Sequence, residues 1–262
     1  MITFEEAKEL SKGYKVVPIS MEIMSDIKTP MQVLRILKGV SSHCYMLESV
    51  ENQEKWGRYT FLGYDPKLEI TCTNGLMTVK NGKTEVSEVK HPGEKIKEIL
   101  KEYTSPKIKE FPTFTGGLVG YFSYDYIKYS EPKLNLDAND EEGFKDVDLM
   151  LFDKVIAFDN FSQKIIVIAN ARTENLREDY DRCVDEINKI IELIRTGEMV
   201  EVNPGKITSE FRPLFTEKEY CEMVEKAKHY IYEGDIFQVV LSNRLEADYE
   251  GSLLNAYRVL QL

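Results

Sequence analysis

No stretch of this 262-residue chain approaches the roughly 20 consecutive apolar residues that span a bilayer. Its start, Met1-Ile2-Thr3-Phe4-Glu5-Glu6, lacks the basic and apolar regions of a secretory signal. Cysteine is scarce: Cys44, Cys72, Cys183 and Cys221 show neither C-x-x-C spacing nor a pairing pattern and read as free thiols of a reducing compartment. His43, His91 and His229 are isolated, with no metal-ligand spacing. Positive charge is in deficit, 34 basic against 45 acidic residues for a net charge of -11, and no long basic run occurs. That excludes binding to a phosphate backbone. An anionic substrate would need a local basic pocket or a metal ion to overcome the overall field. No G-x-S-x-G, Walker or H-E-x-x-H pattern is present. These absences describe a soluble cytoplasmic protein with no nucleic-acid and no membrane partner.

The remainder is ordinary globular composition, 42% hydrophobic and 30% charged, enough for one large domain or two small ones. Phe4 to Leu10 is predicted as a short helix and Val16 to Ile23 as a strand. Thr29-Pro30 opens a helix with Met31, Leu34 and Leu37 on one face. From His43 to Ser87 the chain reads as an antiparallel meander, with strands at Tyr45–Leu47, Arg58–Tyr64 and Leu68–Thr73 and hairpin turns at Asn74-Gly75 and Asn81-Gly82. Pro92 to Tyr103 is helical, with Ile96, Ile99 and Leu100 inward. Leu149–Phe158 and Lys164–Ala171 are two strands of a hairpin, and Glu174–Thr196 is an amphipathic helix ended by Gly197. Thr216-x-x-Glu219 is a capping box for a helix closing at Gly234, Asp235 to Leu245 reads as a strand, and Ser252 caps a helix still running at Leu262. A chain that stops inside a helix reads as cut.

Bottom-up chemistry yields no catalytic constellation. Asp137 to Gly143 superficially resembles a calcium loop, but its glycine falls one position late and Asp148 stands where a bidentate Glu is needed, so it reads as a solvated acidic loop. Gly116-Gly117-x-x-Gly120 runs on into Tyr121, Phe122 and Tyr124 as a strand, unlike a dinucleotide loop, and its glycines suit close strand packing. Asp179, Asp181 and Glu186 alternate with Arg177, Arg182 and Lys189 as a solvent face laced with helix-spaced ion pairs.

Four segments, in order along nearly the whole chain, resemble one family. Thr29-Pro30 leads into Cys44-Tyr45-Met46-Leu47-Glu48-Ser49, similar to a T-P followed by L-L-E-S. Gly57-Arg58-Tyr59-Thr60-Phe61-Leu62-Gly63-Tyr64-Asp65-Pro66 is close to G-R-Y-S-F-I/L-G-x-x-P. Gly116-Gly117-Leu118-Val119-Gly120-Tyr121-Phe122-Ser123-Tyr124-Asp125 with Glu131 is the third, and Gly234-Asp235-Ile236-Phe237-Gln238-Val239-Val240-Leu241-Ser242 resembles the opening of a chorismate-binding region. The family they resemble is anthranilate synthase component I, with aminodeoxychorismate synthase component I as a near relative.

The resemblance implies an α+β fold of antiparallel β-sheets packed together with outer helices, completed by strands beyond this chain. It implies an N-terminal tryptophan-sensing domain at 1–197, a connector at 198–214 and the start of a chorismate-binding catalytic domain at 215–262. The implied activity is that of a lyase, in which chorismate is aminated and loses pyruvate to give anthranilate, the first step of tryptophan biosynthesis. A glutamine amidotransferase subunit supplies the ammonia, Mg²⁺ binds the chorismate carboxylate, and L-tryptophan inhibits. The family's metal-binding glutamates and acid–base residues lie beyond position 262, so the chain is expected to carry no catalytic or metal-binding residue and to be inactive alone.

The near wall of the tryptophan pocket is what the resemblance carries over: Ser49 matches the serine that contacts the bound amino acid, with Glu48 beside it and Arg58 as a basic neighbour. An amino acid presents an ammonium and a carboxylate, so its site needs an acceptor and a cation. Strands bearing Glu48 and Ser49 on one side and Arg58 on the other supply both, although Glu48 and Arg58 at this spacing can also pair simply across a sheet. The facing wall is a later N-P-S-P-Y-M motif. Two alternatives stay open: aminodeoxychorismate synthase, which carries a lysine in a later P-I-K-G-T motif, and a stand-alone amino-acid-binding regulatory module.

Overall fold

The computed structural model describes residues 1–48, 57–131, 133–134, 140 and 142–260; Ser49, and positions 137–139 and 141 of the acidic loop, lie outside them. The chain divides into two compact units, Met1–Val200 and Glu201–Leu262.

The first unit begins with α1 (Phe4–Leu10), capped reciprocally by Thr3 and Glu6, then β1 (Val16–Met24) and α2 (Pro30–Val40), capped by Thr29 and Gln32. Next come β2 (Cys44–Leu47), β3 (Tyr59–Tyr64), β4 (Leu68–Thr73), β5 (Leu76–Asn81), β6 (Lys83–Glu88) and α3 (Pro92–Lys101). β7 (Gly117–Phe122) runs into a 3-10 turn at Tyr124–Tyr129, followed by β8 (Val147–Phe152), β9 (Lys154–Asp159), β10 (Lys164–Arg172) and α4 (Leu176–Thr196). The strands form two five-stranded antiparallel sheets, β1-β10-β9-β3-β2 and β6-β5-β4-β8-β7. The fold is therefore α+β with antiparallel sheets and flanking helices. The hairpin turns fall where Asn-Gly predicts them, with φ of +49° and +80° at Asn74 and Gly75.

α4 lies across β10 and β1, and α2 across β2 and β3. The buried stripe of α4 runs through Tyr180, Cys183, Ile187, Ile190, Ile191 and Ile194, each apolar side chain contributing about 2 kcal/mol when fully buried. The opposite face of that sheet holds Val155, Ala157, Ile166 and Ile168 under Tyr59, Phe61 and Phe114. The second sheet has its own cluster, Leu68, Ile70, Met77, Leu149 and Leu151, closed by Ile96 of α3. Leu100, expected inward, is exposed: the α3 stripe turns away after Ile99, and Leu100 stands off it.

Leu149–Phe158, expected as one strand, is two strands belonging to different sheets, with Asp153 alone between them. The neighbouring β3–β4 segment changes sheet at the same place, across Asp65-Pro66-Lys67. Leu62 pairs with Ile156 before the corner and Leu68 with Leu151 after it, so residues 63–67 on one side face 152–155 on the other. That extra residue is a bulge, and Asp65 takes it up with a φ of +53°. Two ion pairs brace the corner, Lys154–Asp65 at 2.9 Å and Lys67–Asp153 at 3.6 Å. Burial pushes the Asp153 carboxyl up, against the pull of Lys67 and Lys154.

In the second unit, β11 (Lys206–Ile207) and β12 (Arg212–Pro213) precede α5 (Glu217–Glu233), which is capped by Thr216 and Glu219 and closed by left-handed Gly234. β13 (Leu245–Glu246), β14 (Tyr249–Glu250) and α6 (Leu254–Leu260) follow. β11 pairs with β14 and β12 with β13, so Lys206–Ile207 and Arg212–Pro213, within the stretch expected as a connector at 198–214, form short ladders of this unit. Asp235–Leu245, expected as a strand, is irregular up to Leu245. A strand persists by exchanging hydrogen bonds with a neighbour, and none of the described strands flanks 236–243. Phe237 is 93% exposed there and Val240 83%.

Gly120 shows how tightly β7 is set. It sits at φ +151°, and a Cβ there would overlap the carbonyl of Asp148 on β8. Gly120→Ala is expected to lower stability by more than about 2 kcal/mol, because backbone must move. Gly82→Ala should cost about 1 kcal/mol, since only its left-handed φ is at stake and nothing lies within 4 Å. Urea unfolding of the two variants checks this; equal losses would contradict the close approach.

Candidate functional site

The residues carried over to a tryptophan-sensing wall lie at one end of the β2–β3 pair. Cys44 faces Tyr64 and Leu47 faces Phe61, which sets Glu48 just past β2 and Arg58 just before β3. Glu48 is half-buried. Ser49 is among the residues not described.

Why the strands pair here is visible at Tyr45, which lies opposite Gly63. A Cβ on Gly63 would overlap the Tyr45 ring, so the glycine lets the ring fold across its neighbour and meet Phe152 edge-on at 4.7 Å. Burial pushes the Tyr45 phenol up. Tyr59 and Phe61 fill one face of the sheet while Leu62 is fully buried on the other. The motif that contains Arg58 is thus largely architecture: two aromatic wedges, a ring-accommodating glycine, and the Asp65-Pro66 bulge.

Arg58 makes a two-point ion pair with Asp159 at the end of β9, Nε to Oδ1 at 3.1 Å and Nη2 to Oδ2 at 2.6 Å. Its guanidinium also lies 4.9 Å from the Tyr59 ring centroid. Asp159 accepts further from the Phe161 and Ser162 amides, both at 3.1 Å, and from the Ser162 hydroxyl at 2.8 Å. Its carboxylate is therefore both turn cap and counter-ion. Burial alone would raise its pKa; the bonds from Arg58 and Ser162 outweigh that and bring it down to about 2. The arrangement holds Arg58 rigidly at the mouth of the β2–β3 pair with much of its charge compensated.

Asp159 had one sequence signal: an acid at the head of Asp159-Asn160-Phe161-Ser162 is typical of a side-chain-capped turn. Nothing local marks it as the partner of Arg58, 101 positions away. A second cluster escaped for the same reason. Lys154, 9% exposed by its side chain, binds Asp65 and, at 3.3 Å, Glu186. Glu186 therefore does not belong to the solvent-facing row of α4, although Arg177–Asp181 and Arg182–Asp179 are helix-spaced pairs as expected. The cysteines are free, Cys72 and Cys183 buried, and burial pushes the Cys183 thiol up to about 12. Among the described residues no group of three His, Cys, Asp or Glu side chains is placed to hold a metal ion, and no helix is long and apolar enough to cross a membrane.

Asp159→Asn is expected to lower stability by about 2 kcal/mol near neutral pH. The folded pKa of Asp159 is depressed, so its contribution is complete above the unfolded value of about 4 and is lost as pH falls through about 2. The gap between variant and parent should narrow over that window in paired denaturation curves. A gap unchanged down to pH 2 would contradict the pairing.

With this geometry in view, comparison with known proteins is specific. Residues 42–262 match the family model described as chorismate binding enzyme. Over 265 residues, the chain is 34% identical to anthranilate synthase component 1 of Aquifex aeolicus (strain VF5), covering 99% of this chain and 53% of that protein. It is likewise 34% identical to anthranilate synthase component 1 of Acetivibrio thermocellus, covering 99% of this chain and 54% of that one. In three dimensions it resembles the crystal structure of anthranilate synthase component I from Streptococcus pneumoniae TIGR4, with a TM-score of 0.62 and 28% identity over 91% of this chain and 52% of the other. The chain spans about half the length of the curated relatives it matches. With more than half of its residues matched to the family model, the chain belongs to the chorismate binding enzyme family.

Proposed function

We propose that this chain is the N-terminal half of the large subunit of an anthranilate synthase, a cytoplasmic lyase that forms anthranilate and pyruvate from chorismate at the head of tryptophan biosynthesis. The observation that carries the reading is similarity to component 1 enzymes along 99% of the chain. The designation of those relatives as component 1 supports a second component, and we assign that role to a glutamine amidotransferase delivering ammonia. The Mg²⁺ of the reaction finds no ligand set among the described residues.

Within this reading the half serves as scaffold and sensor. We assign Glu48 and Ser49 the role of acceptors for the ammonium of bound L-tryptophan, and Arg58, oriented by Asp159, that of the cation for its carboxylate. Because the guanidinium is already paired at two points, its attraction for a second anion is reduced. Its larger contribution is then to hold the start of β3 against the end of β9. Ser49 carries more of the ligand selectivity.

The test is to assay the full-length protein with an amidotransferase subunit for anthranilate fluorescence, with and without L-tryptophan. Anthranilate should form from chorismate and glutamine, while the 262-residue chain alone should give none. Ser49→Ala should raise the inhibitory tryptophan concentration at least roughly ten-fold with kcat nearly unchanged, the size of losing one charge-assisted hydrogen bond. Accumulation of aminodeoxychorismate instead of anthranilate would overturn the assignment of product. Unaltered inhibition in the variant would overturn that of the sensor.

A further inference from the structure

Two Asn-Gly pairs turn the hairpins of the second sheet, Asn74-Gly75 between β4 and β5 and Asn81-Gly82 between β5 and β6. In such a pair the glycine nitrogen can reach the side-chain carbonyl carbon of the asparagine before it, because no Cβ stands in the way. Attack requires the N–H to give up its proton and the side chain to swing toward it. The two turns differ on both counts.

At the first turn both partners are held. The Gly75 N–H donates to the Tyr129 hydroxyl at 2.7 Å, and that hydroxyl donates to Asp146 at 2.7 Å. The Asn74 side-chain oxygen accepts from the Lys128 ammonium at 2.9 Å, and the Asn74 backbone N–H donates to Asp146 at 2.7 Å. The Gly75 carbonyl accepts from the Val89 N–H at 2.8 Å. The turn must open locally before the nitrogen is free to react.

The second turn has no such restraint. Asn81, Gly82 and Lys83 are exposed, and neither the Asn81 side chain nor the Gly82 N–H has a hydrogen-bond partner among the described residues. A Cβ on Gly82 would meet nothing within 4 Å, so the space around the nitrogen is open. The Lys83 ammonium, next in the chain, favours loss of the nearby N–H proton. β6 is an edge strand with every residue exposed, so a change of chain length at its start opens no core.

We propose that Asn81 is a site of spontaneous covalent modification, conversion to aspartate and isoaspartate, and that the fold protects Asn74 from the same reaction. The Gly82 nitrogen, its proton taken by hydroxide, bonds to the Asn81 Cγ. The bond from Cγ to the side-chain nitrogen breaks, and ammonia leaves with a proton from water. Water then opens the cyclic imide at either carbonyl. One water is consumed and one ammonia released, with no oxidation or reduction. The product carries one more negative charge on the β5–β6 turn, and in the isoaspartyl form one more backbone carbon.

The test incubates the 262-residue chain in warm, mildly alkaline buffer and follows both sites by peptide mapping with mass spectrometry. Asn81 should convert at least roughly ten-fold faster than Asn74, with isoaspartate among its products. In guanidinium chloride the two rates should come within about three-fold of each other, because only the fold separates them. Tyr129→Phe removes the acceptor of the Gly75 N–H and should speed Asn74 at least roughly three-fold while leaving Asn81 unchanged. Conversion of Asn74 as fast as Asn81 in the folded chain would overturn the proposal. A ten-fold gap that persists in denaturant, or an Asn74 rate unmoved by Tyr129→Phe, would overturn the assignment of protection to the fold.

Discussion

Everything in the first unit depends on one corner, where two adjacent antiparallel strands leave one sheet and enter the other together. β9 is the middle strand of its sheet and β8 lies inside the other, and only Asp153 separates them. The companion strands cross at Asp65-Pro66-Lys67, with one residue more than the opposite side. A ribbon can bend sharply only if one edge lengthens, and the bulge at Asp65 supplies that length. The corner then brings unlike charges together in pairs, Lys154 with Asp65 and Lys67 with Asp153. Lys154 lies under the Tyr64 ring, 4.7 Å from its centroid, and is steadied by Glu186 of the covering helix, so the bend is tied to α4 as well.

That corner explains why a motif that looks functional on paper is mostly structural. From Tyr59 to Pro66 the residues act mechanically, by filling a sheet face, admitting the Tyr45 ring at Gly63, or making the bulge. Arg58 stands at the head of the motif and is clamped by Asp159 across the turn between β9 and β10. Glu48 and Arg58 thus stand at the ends of two strands, β2 and β3, that pair with each other.

Much of the fold was legible residue by residue. The Thr29-Pro30 helix start, the capping box at Thr216, left-handed Asn74-Gly75, and the apolar stripe of α4 depend on interactions within a few positions, which composition and spacing report directly. Expectations failed where a long-range partner decides. A run of alternating apolar residues from Leu149 to Phe158 has no local sign that it changes sheet at Asp153. Residues 236–243 have strand chemistry and no described neighbour to pair with. The candidate site divides in the same way. Glu48, Ser49 and Arg58 are marked by motif, but nothing local marks Asp159 as the partner of Arg58.

By itself the sequence determined most element types, the Asn-Gly turn positions, the absence of a nucleic-acid-binding charge pattern and, through four ordered motifs, the family. Each rests on short-range stereochemistry or on a pattern written along the chain. Only the tertiary structure decided that Arg58 faces Asp159, that Glu186 turns inward to Lys154, and that one strand run serves two sheets. Those outcomes depend on which distant backbone comes alongside. That is settled by the summed burial of whole faces and the register of whole ladders, to which no single residue's neighbours in sequence bear witness.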